Sequence, residues 1–151
     1  MKLVLAAISP TRSRAKSDAA AALAADYLTR AARYLPCEPQ SFPSQADLLA
    51  SLDRHPTRTT PVLILLDSRG KLLSSEEFAG HLGRLRDSGT QSLILAIGPA
   101  DGWSPAARSR ASLIVSLGRI TLPHELARAV LAEQIYRALT ILANHPYHSG
   151  H

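Results

Sequence analysis

The chain has 151 residues, 46% of them apolar and 19% charged, with a formal net charge of +5. That is one domain's worth of ordinary globular composition and excludes a disordered or low-complexity protein. The apolar runs "LVLAAI" and "VLILLD" are far too short to span a bilayer, and Met1 leads into the first without a signal-peptide layout, so the expectation is a cytoplasmic protein away from membranes.

Short β-rich runs alternate with helical patterns along the chain. "KLVLAAI" reads as a strand, 17–35 as an alanine-rich helix, "PCEPQSF" as an edge strand because of its prolines, and 43–52 as a short helix. "RHPTRTTP" (54–61) is a loop within the domain, and "PVLILLD" is a second buried strand. "SSEEFAGHLGRL" is a helix opened by a capping box, Ser74 with Glu77. "SLILAIG" is a strand, Ser104 and Pro105 start a short helix, "ASLIVSLG" is the last strand, and Thr121 with Pro123 opens the final helix. Near-continuous apolar strands separated by helices predict an α/β fold with a parallel sheet covered on both faces, as one domain over 1–151. In the final helix, Leu126, Val130, Ile135, Leu139 and Leu142 recur near helical spacing and predict a core face beside a partner face.

Of the 17 basic residues 14 are arginines. Arginine forks onto phosphate, although a GC-rich genome gives the same excess and charge alone speaks to association, not fold. The lone Cys37 reads as a small core residue. No two of the six histidines form an i, i+4 helical pair with a nearby carboxylate, so no metal site is expected.

Ligands of open α/β sheets collect at the carboxyl ends of the strands. Three of those ends carry unusual sequence: "LDSRGK" from Leu66, "IGPADG" from Ile97 and "LGRITLPH" from Leu117. Glycine there lets backbone approach a ligand, and a following helix offers free N–H groups. Neither a GxGxxG turn nor a P-loop is present, which leaves dinucleotides and triphosphates without a phosphate cradle. The chain closes on "NHPYHSGH", where Pro146 ends the helix and sets Tyr147 and His148 just beyond it.

"LLDSRGKLLSSEEFAGHL", "LAIGPADGWSP" and "ITLPHELARAVLAEQIYRALTILANHPYH" together resemble the RlmH family, SPOUT-class methyltransferases that modify N3 of a pseudouridine in large-subunit (23S) ribosomal RNA. The resemblance is dense over 62–148 and thinner before it. It implies a five- or six-stranded α/β domain with a C-terminal trefoil knot, an exception to the rule against knots. It also implies a homodimer in which each subunit completes the other's site, and S-adenosylmethionine as cofactor. By position the cofactor contacts fall on Leu66, Gly98, Pro99, Gly118, Arg119, Ile120, Thr121, Leu122 and Pro123. The tail would lie near the methyl donor, Tyr147 orienting the pseudouridine and His148 handling a proton or touching substrate; both side chains are chemically suited to a uracil edge. Tyr27, Arg30 and Arg128 are the RNA contacts this reading picks out, Arg137 serves RNA or the dimer, and His124 makes a structural hydrogen bond at the helix start.

The chain departs from the family at functional loops. Gly98-Pro99 replaces two glycines, removing an N–H. Ser149 follows His148 where a basic residue is usual, Gly118-Arg119 stands where small and polar residues are usual, and "AISPTR" lacks the customary Gly-Lys. These changes fit either a divergent enzyme or a catalytically weakened homodimer that binds RNA or ribosomes. An unrelated flavodoxin-like binding domain is the third reading.

Overall fold

A computed structural model describes residues 1–9, 19–54 and 59–149. The expected helix start at 17–18, the middle of the 54–61 loop and His151 lie outside them. Five strands, β1 (Lys2–Ile8), β2 (Cys37–Phe42), β3 (Val62–Leu72), β4 (Ser92–Ile97) and β5 (Leu113–Ser116), form one sheet in the order β2-β1-β4-β3-β5. Every pairing is parallel. The central β4 is buried along its whole length, which is why it reads as a continuous apolar run. Pro39 sits in β2 at the sheet edge, where no ladder N–H is missed on the open side.

Successive side chains feed two cores. Leu3, Leu5, Ile64, Leu93 and Leu95 point to one face and pack against α1 (Ala19–Ala31), α3 (Ser75–Asp87) and α5 (His124–Leu142) through Leu28, Phe78, Leu82, Leu131 and Ile135. Val4, Ala6, Ile8, Leu63, Leu65 and Ile94 point to the other, against α2 (Gln45–Asp53) and α4 (Pro105–Arg110) through Leu48, Leu52 and Ala107. Cys37 is half-buried, and burial pushes its thiol up to about 12, so it is chemically quiet. No helix among the described residues is long and apolar enough to cross a membrane.

The caps behave as their sequences dictate. The Ser74 hydroxyl accepts from the Glu77 N–H (3.1 Å) while Glu77 accepts from the Ser74 N–H (2.7 Å), opening α3. Four local expectations are corrected. β3 does not end at Asp67: after a register jump between Leu66 and Lys71 it pairs again with β5, and 67–70 bulge toward the strand ends. Thr121 does not cap α5; Pro123 holds the cap position, no side chain caps it, and Thr121 faces a cleft instead. In α5 Ile135 and Leu139 are buried as expected, joined by Ala129, Leu131, Ala132, Ala138 and Thr140, whereas Leu126 is 48% exposed. Finally, α5 stops before Pro146, at Asn144 in the left-handed region (φ 54°). The Asn144 and His145 N–H groups donate back to Ile141 and Thr140 carbonyls (3.1 and 2.9 Å), a Schellman closure with asparagine in glycine's place.

Candidate active site

The bulge of β3 and the carboxyl ends of β4 and β5 converge on a cleft of about 430 Å³. Leu66, Gly98, Pro99, Gly118, Ile120, Thr121, Leu122 and Pro123 all line it, together with Asp67, Trp103 and His124. Arg119 is the exception among the expected contacts: its side chain is exposed and does not line the cleft. A smaller hollow of about 230 Å³ adjoins it, sharing Leu66, Leu117 and Gly118 and running toward Ser74 and Gln134. The walls are mostly aliphatic side chains and main chain, the lining expected of a small-molecule site.

The β4 loop is held from two sides. The Trp103 indole N–H donates to the Leu66 carbonyl at 2.8 Å, tying the β4 loop to β3 just before its bulge. Gln45, from α2, donates to the Gly102 carbonyl (3.0 Å) and accepts from the Ser104 N–H (2.8 Å). A Cβ at Gly98 would stand 2.7 Å from the Trp103 ring, so only glycine fits beneath the indole. The Pro99 carbonyl accepts the Gly102 N–H at 3.0 Å, so Pro99 closes a turn. In the β5 loop Gly118 has φ +134°, a conformation other residues rarely adopt, and its N–H and carbonyl both meet the Ser116 hydroxyl.

Two titratable groups face this region. Burial pushes the Asp67 carboxyl up, but the Arg69 amide and the Arg108 guanidinium, both bonded to it, outweigh burial and leave it below its ordinary value. His124 is pushed down, first by burial and then by the charge of Arg128, against a weaker pull from Glu125; its ring is neutral near pH 7. The expected structural hydrogen bond of His124 does not form through Nε2. That atom and Nε of Arg128 are buried without a hydrogen-bond partner among the described residues.

The tail folds elsewhere. A final 3-10 turn (Pro146–His148) lies back along α5, with His145 Nδ1 accepting the Tyr147 N–H at 3.2 Å. The Tyr147 hydroxyl donates to Glu133 Oε1 (3.0 Å), its ring packs on Tyr136 (4.7 Å between centroids), and the Arg137 guanidinium sits over it at 4.8 Å. His148 meets Arg137 at 3.1 Å and Glu76 at 2.8 Å. Burial, then hydrogen bonds with Tyr27 and Glu133, push the Tyr147 phenol well up, so it keeps its proton. Neither Tyr147 nor His148 lines the cleft of its own chain. Glu133 lies ten positions beyond Pro123, about 15 Å along the helix.

The RNA candidates also divide. Tyr27 and Arg30 belong to the tail patch: the Tyr27 ring packs on Tyr136 (6.0 Å), and Arg30 pairs with Asp26 (2.8 Å) while lying over Tyr27 at 5.3 Å. Arg128 stands instead beside His124 at the cleft end of α5. Sequence reasoning missed Trp103, Gln45, Asp67, Glu76 and Glu133. Glu133 followed by Arg137 at i, i+4 in the favourable order was a usable signal; Gln45 offered none.

A family model described as "Predicted SPOUT methyltransferase" matches residues 1–148. The chain belongs to the SPOUT methyltransferase family. It is 51% identical over 138 residues, 91% of this chain and 94% of the other, to a Koribacter versatilis protein named ribosomal RNA large subunit methyltransferase H. A Brucella ovis protein of the same name is 62% identical over 86 residues, 57% of this chain and 51% of that one, so this match spans about half of the Brucella protein. The resemblance drawn from the strand-end loops and the last helix is thereby confirmed at the level of the family. A crystal structure of the SpoU methyltransferase AviRb from Streptomyces viridochromogenes in complex with AdoMet aligns with 95% of this chain and 61% of its own at 16% identity and a TM-score of 0.47, too loose a likeness for comparing sites.

Proposed function

We propose that this SPOUT methyltransferase acts in the cytoplasm as a homodimer and transfers the methyl group of S-adenosylmethionine to N3 of a pseudouridine in 23S ribosomal RNA. The observation that carries the reading is the convergence of three strand-end loops on one backbone-rich cleft, at the positions where the family resemblance puts the cofactor. The residues fit that group. Leu66, Ile120 and Leu122 give aliphatic walls, the main chain of Gly98 and of 120–122 offers N–H and C=O groups for an adenine edge, and His124 Nε2 is an orphaned polar atom at the lining. Because His124 is neutral, it sets no like charge against a sulfonium.

S-adenosylmethionine, when bound, supplies an electrophilic methyl group. The chain's own work is then to align the pseudouridine and let its N3 proton leave. Tyr147, which keeps its phenolic proton, suits orientation rather than base catalysis, and His148 suits contact with the uracil edge. Both sit away from their own chain's cleft, which supports completion of each site by the tail of a second copy. Ile120, 82% exposed at the cleft rim, and Leu126 nearby supply an apolar surface for that copy. Tyr27, Arg30 and Arg128 are the proposed RNA contacts.

The test is a calorimetric titration with S-adenosylmethionine alongside the mass in solution, followed by methylation of ribosomes and of free 23S RNA. Micromolar binding by a dimer, with methyl transfer to pseudouridine N3, is expected. A folded dimer that binds no cofactor would contradict the reading and favour a fold kept for RNA or ribosome binding, with the N–H missing at Pro99 as the first suspect.

A further inference from the structure

Arg137 touches three members of the tail patch, Glu133, Tyr147 and His148. Its Nε and Nη2 fork onto Glu133 Oε1 at 2.9 and 2.8 Å, the same oxygen that accepts the Tyr147 hydroxyl at 3.0 Å. Its remaining terminal nitrogen, Nη1, stands 3.1 Å from His148 Nδ1, and its plane lies over the Tyr147 ring. The other ring nitrogen of His148, Nε2, is 2.8 Å from Glu76 Oε1 on α3.

With both His148 contacts taken as hydrogen bonds, elementary donor and acceptor rules select one protonation state. A guanidinium has only donors, so a hydrogen bond from Arg137 requires a lone pair on Nδ1. An ionised carboxylate has only acceptors, so a hydrogen bond to Glu76 requires a proton on Nε2. One species satisfies both: the neutral ring protonated on Nε2. An imidazolium would set an N–H of its own against the guanidinium. The Glu76 carboxylate favours that imidazolium, while Arg137 opposes it both by charge and by occupying Nδ1; Glu133, also on α5, is already taken by Arg137 and Tyr147.

We infer that Arg137 is a positioning residue that holds the His148 ring neutral with its proton on Nε2, so that His148 meets the pseudouridine as a hydrogen-bond donor and the N3 proton leaves to solvent water rather than to this ring. The catalytic half of this statement rests on the proposed methyl transfer; the tautomer does not. The accessible side is the donor side, because Glu76 is 64% exposed and a uracil carbonyl oxygen can replace its carboxylate. Taking up a proton at Nδ1 requires Arg137 to let go.

The experiment has two arms on the full-length protein. Nitrogen-15 NMR of the imidazole rings, with His148 assigned through His148→Gln, is expected to show a neutral His148 protonated on Nε2 near pH 7, and a mixed or imidazolium signal in Arg137→Gln. Methylation of ribosomes by Arg137→Gln is expected to fall roughly 10- to 100-fold in turnover with unchanged S-adenosylmethionine affinity, as a misplaced catalytic contact does. A wild-type His148 that is an imidazolium or carries its proton on Nδ1 overturns the inference, and this readout needs no variant to fold. Full turnover by Arg137→Gln overturns it as well. If the wild-type protein transfers no methyl group at all, the functional reading fails while the spectrum still decides the tautomer.

Discussion

The cleft and the tail patch are built by opposite means. The cleft is shaped by main chain: the bulge of β3 and the ends of β4 and β5 stand side by side, and their loops are fixed by backbone hydrogen bonds, a tryptophan and a glutamine. The tail patch is made of side chains, with Tyr147, His148, Arg137, Glu133 and Glu76 brought together from α3, α5 and the final turn. A backbone-built site tolerates divergent side chains, which is how Pro99 can stand in the cleft wall while closing a turn. A side-chain site fails when one partner changes. The difference predicts that substitutions at the cleft act on fold and cofactor affinity together, whereas substitutions at the tail act on turnover.

The largest effect is expected from Trp103→Ala. The indole is buried and ties two loops together, so its loss should cost about 3–5 kcal/mol in a denaturant titration and abolish cofactor binding. Full cofactor affinity in a stable Trp103→Ala protein would break the comparison on the cleft side.

Asp67→Asn should cost about 1.5–3 kcal/mol, since the carboxylate is only 7% exposed and bonded to Arg108. The sign follows from its lowered pKa. A carboxyl depressed in the folded state contributes stability above its unfolded pKa and loses it as pH falls through the lower folded value. Stability against pH should therefore lose part of its acid limb in Asp67→Asn, and an unchanged limb would remove Asp67 from the account.

Gly98→Ala tests the fit beneath the indole. Its Cβ must displace Trp103, at about 1–3 kcal/mol, with a matching loss of cofactor affinity seen by calorimetry and no change in the tail's NMR signals. The smallest structural effect belongs to Tyr147→Phe. It removes the hydroxyl's hydrogen bonds with Glu133 and Tyr27, about 1–2 kcal/mol, yet should lower methylation turnover while leaving cofactor affinity intact. A loss of affinity instead would place the tail in the cofactor site itself.

The two regions also differ in how far the sequence announced them. Apolar runs such as "SLILAI" and the glycines after them made the sheet, its helices and the cleft walls readable, because buried parallel strands need continuous apolar sequence and their ends need loops that approach a ligand. Where reading failed, tertiary structure had intervened. β3 resumes after its bulge because β5 offers a second register, and α5 ends at Asn144 because a left-handed asparagine closes the helix before proline has to. The tail's placement was not readable: Tyr147 reaches back 14 residues to Glu133 and His148 reaches 72 residues to Glu76. The family resemblance tied these residues to catalysis but did not supply the contacts that hold them.

The central claim is that one copy's cleft works with another copy's tail. It is tested most directly by combining two impaired proteins: a Gly98→Ala chain with an intact tail, and a Tyr147→Phe, His148→Ala chain with an intact cleft. Mixed dimers, purified through two different tags, should methylate ribosomes at limiting S-adenosylmethionine clearly faster than either parent, because one of their two sites is intact. Mixed dimers that form and bind cofactor yet are no faster than their parents would contradict the account.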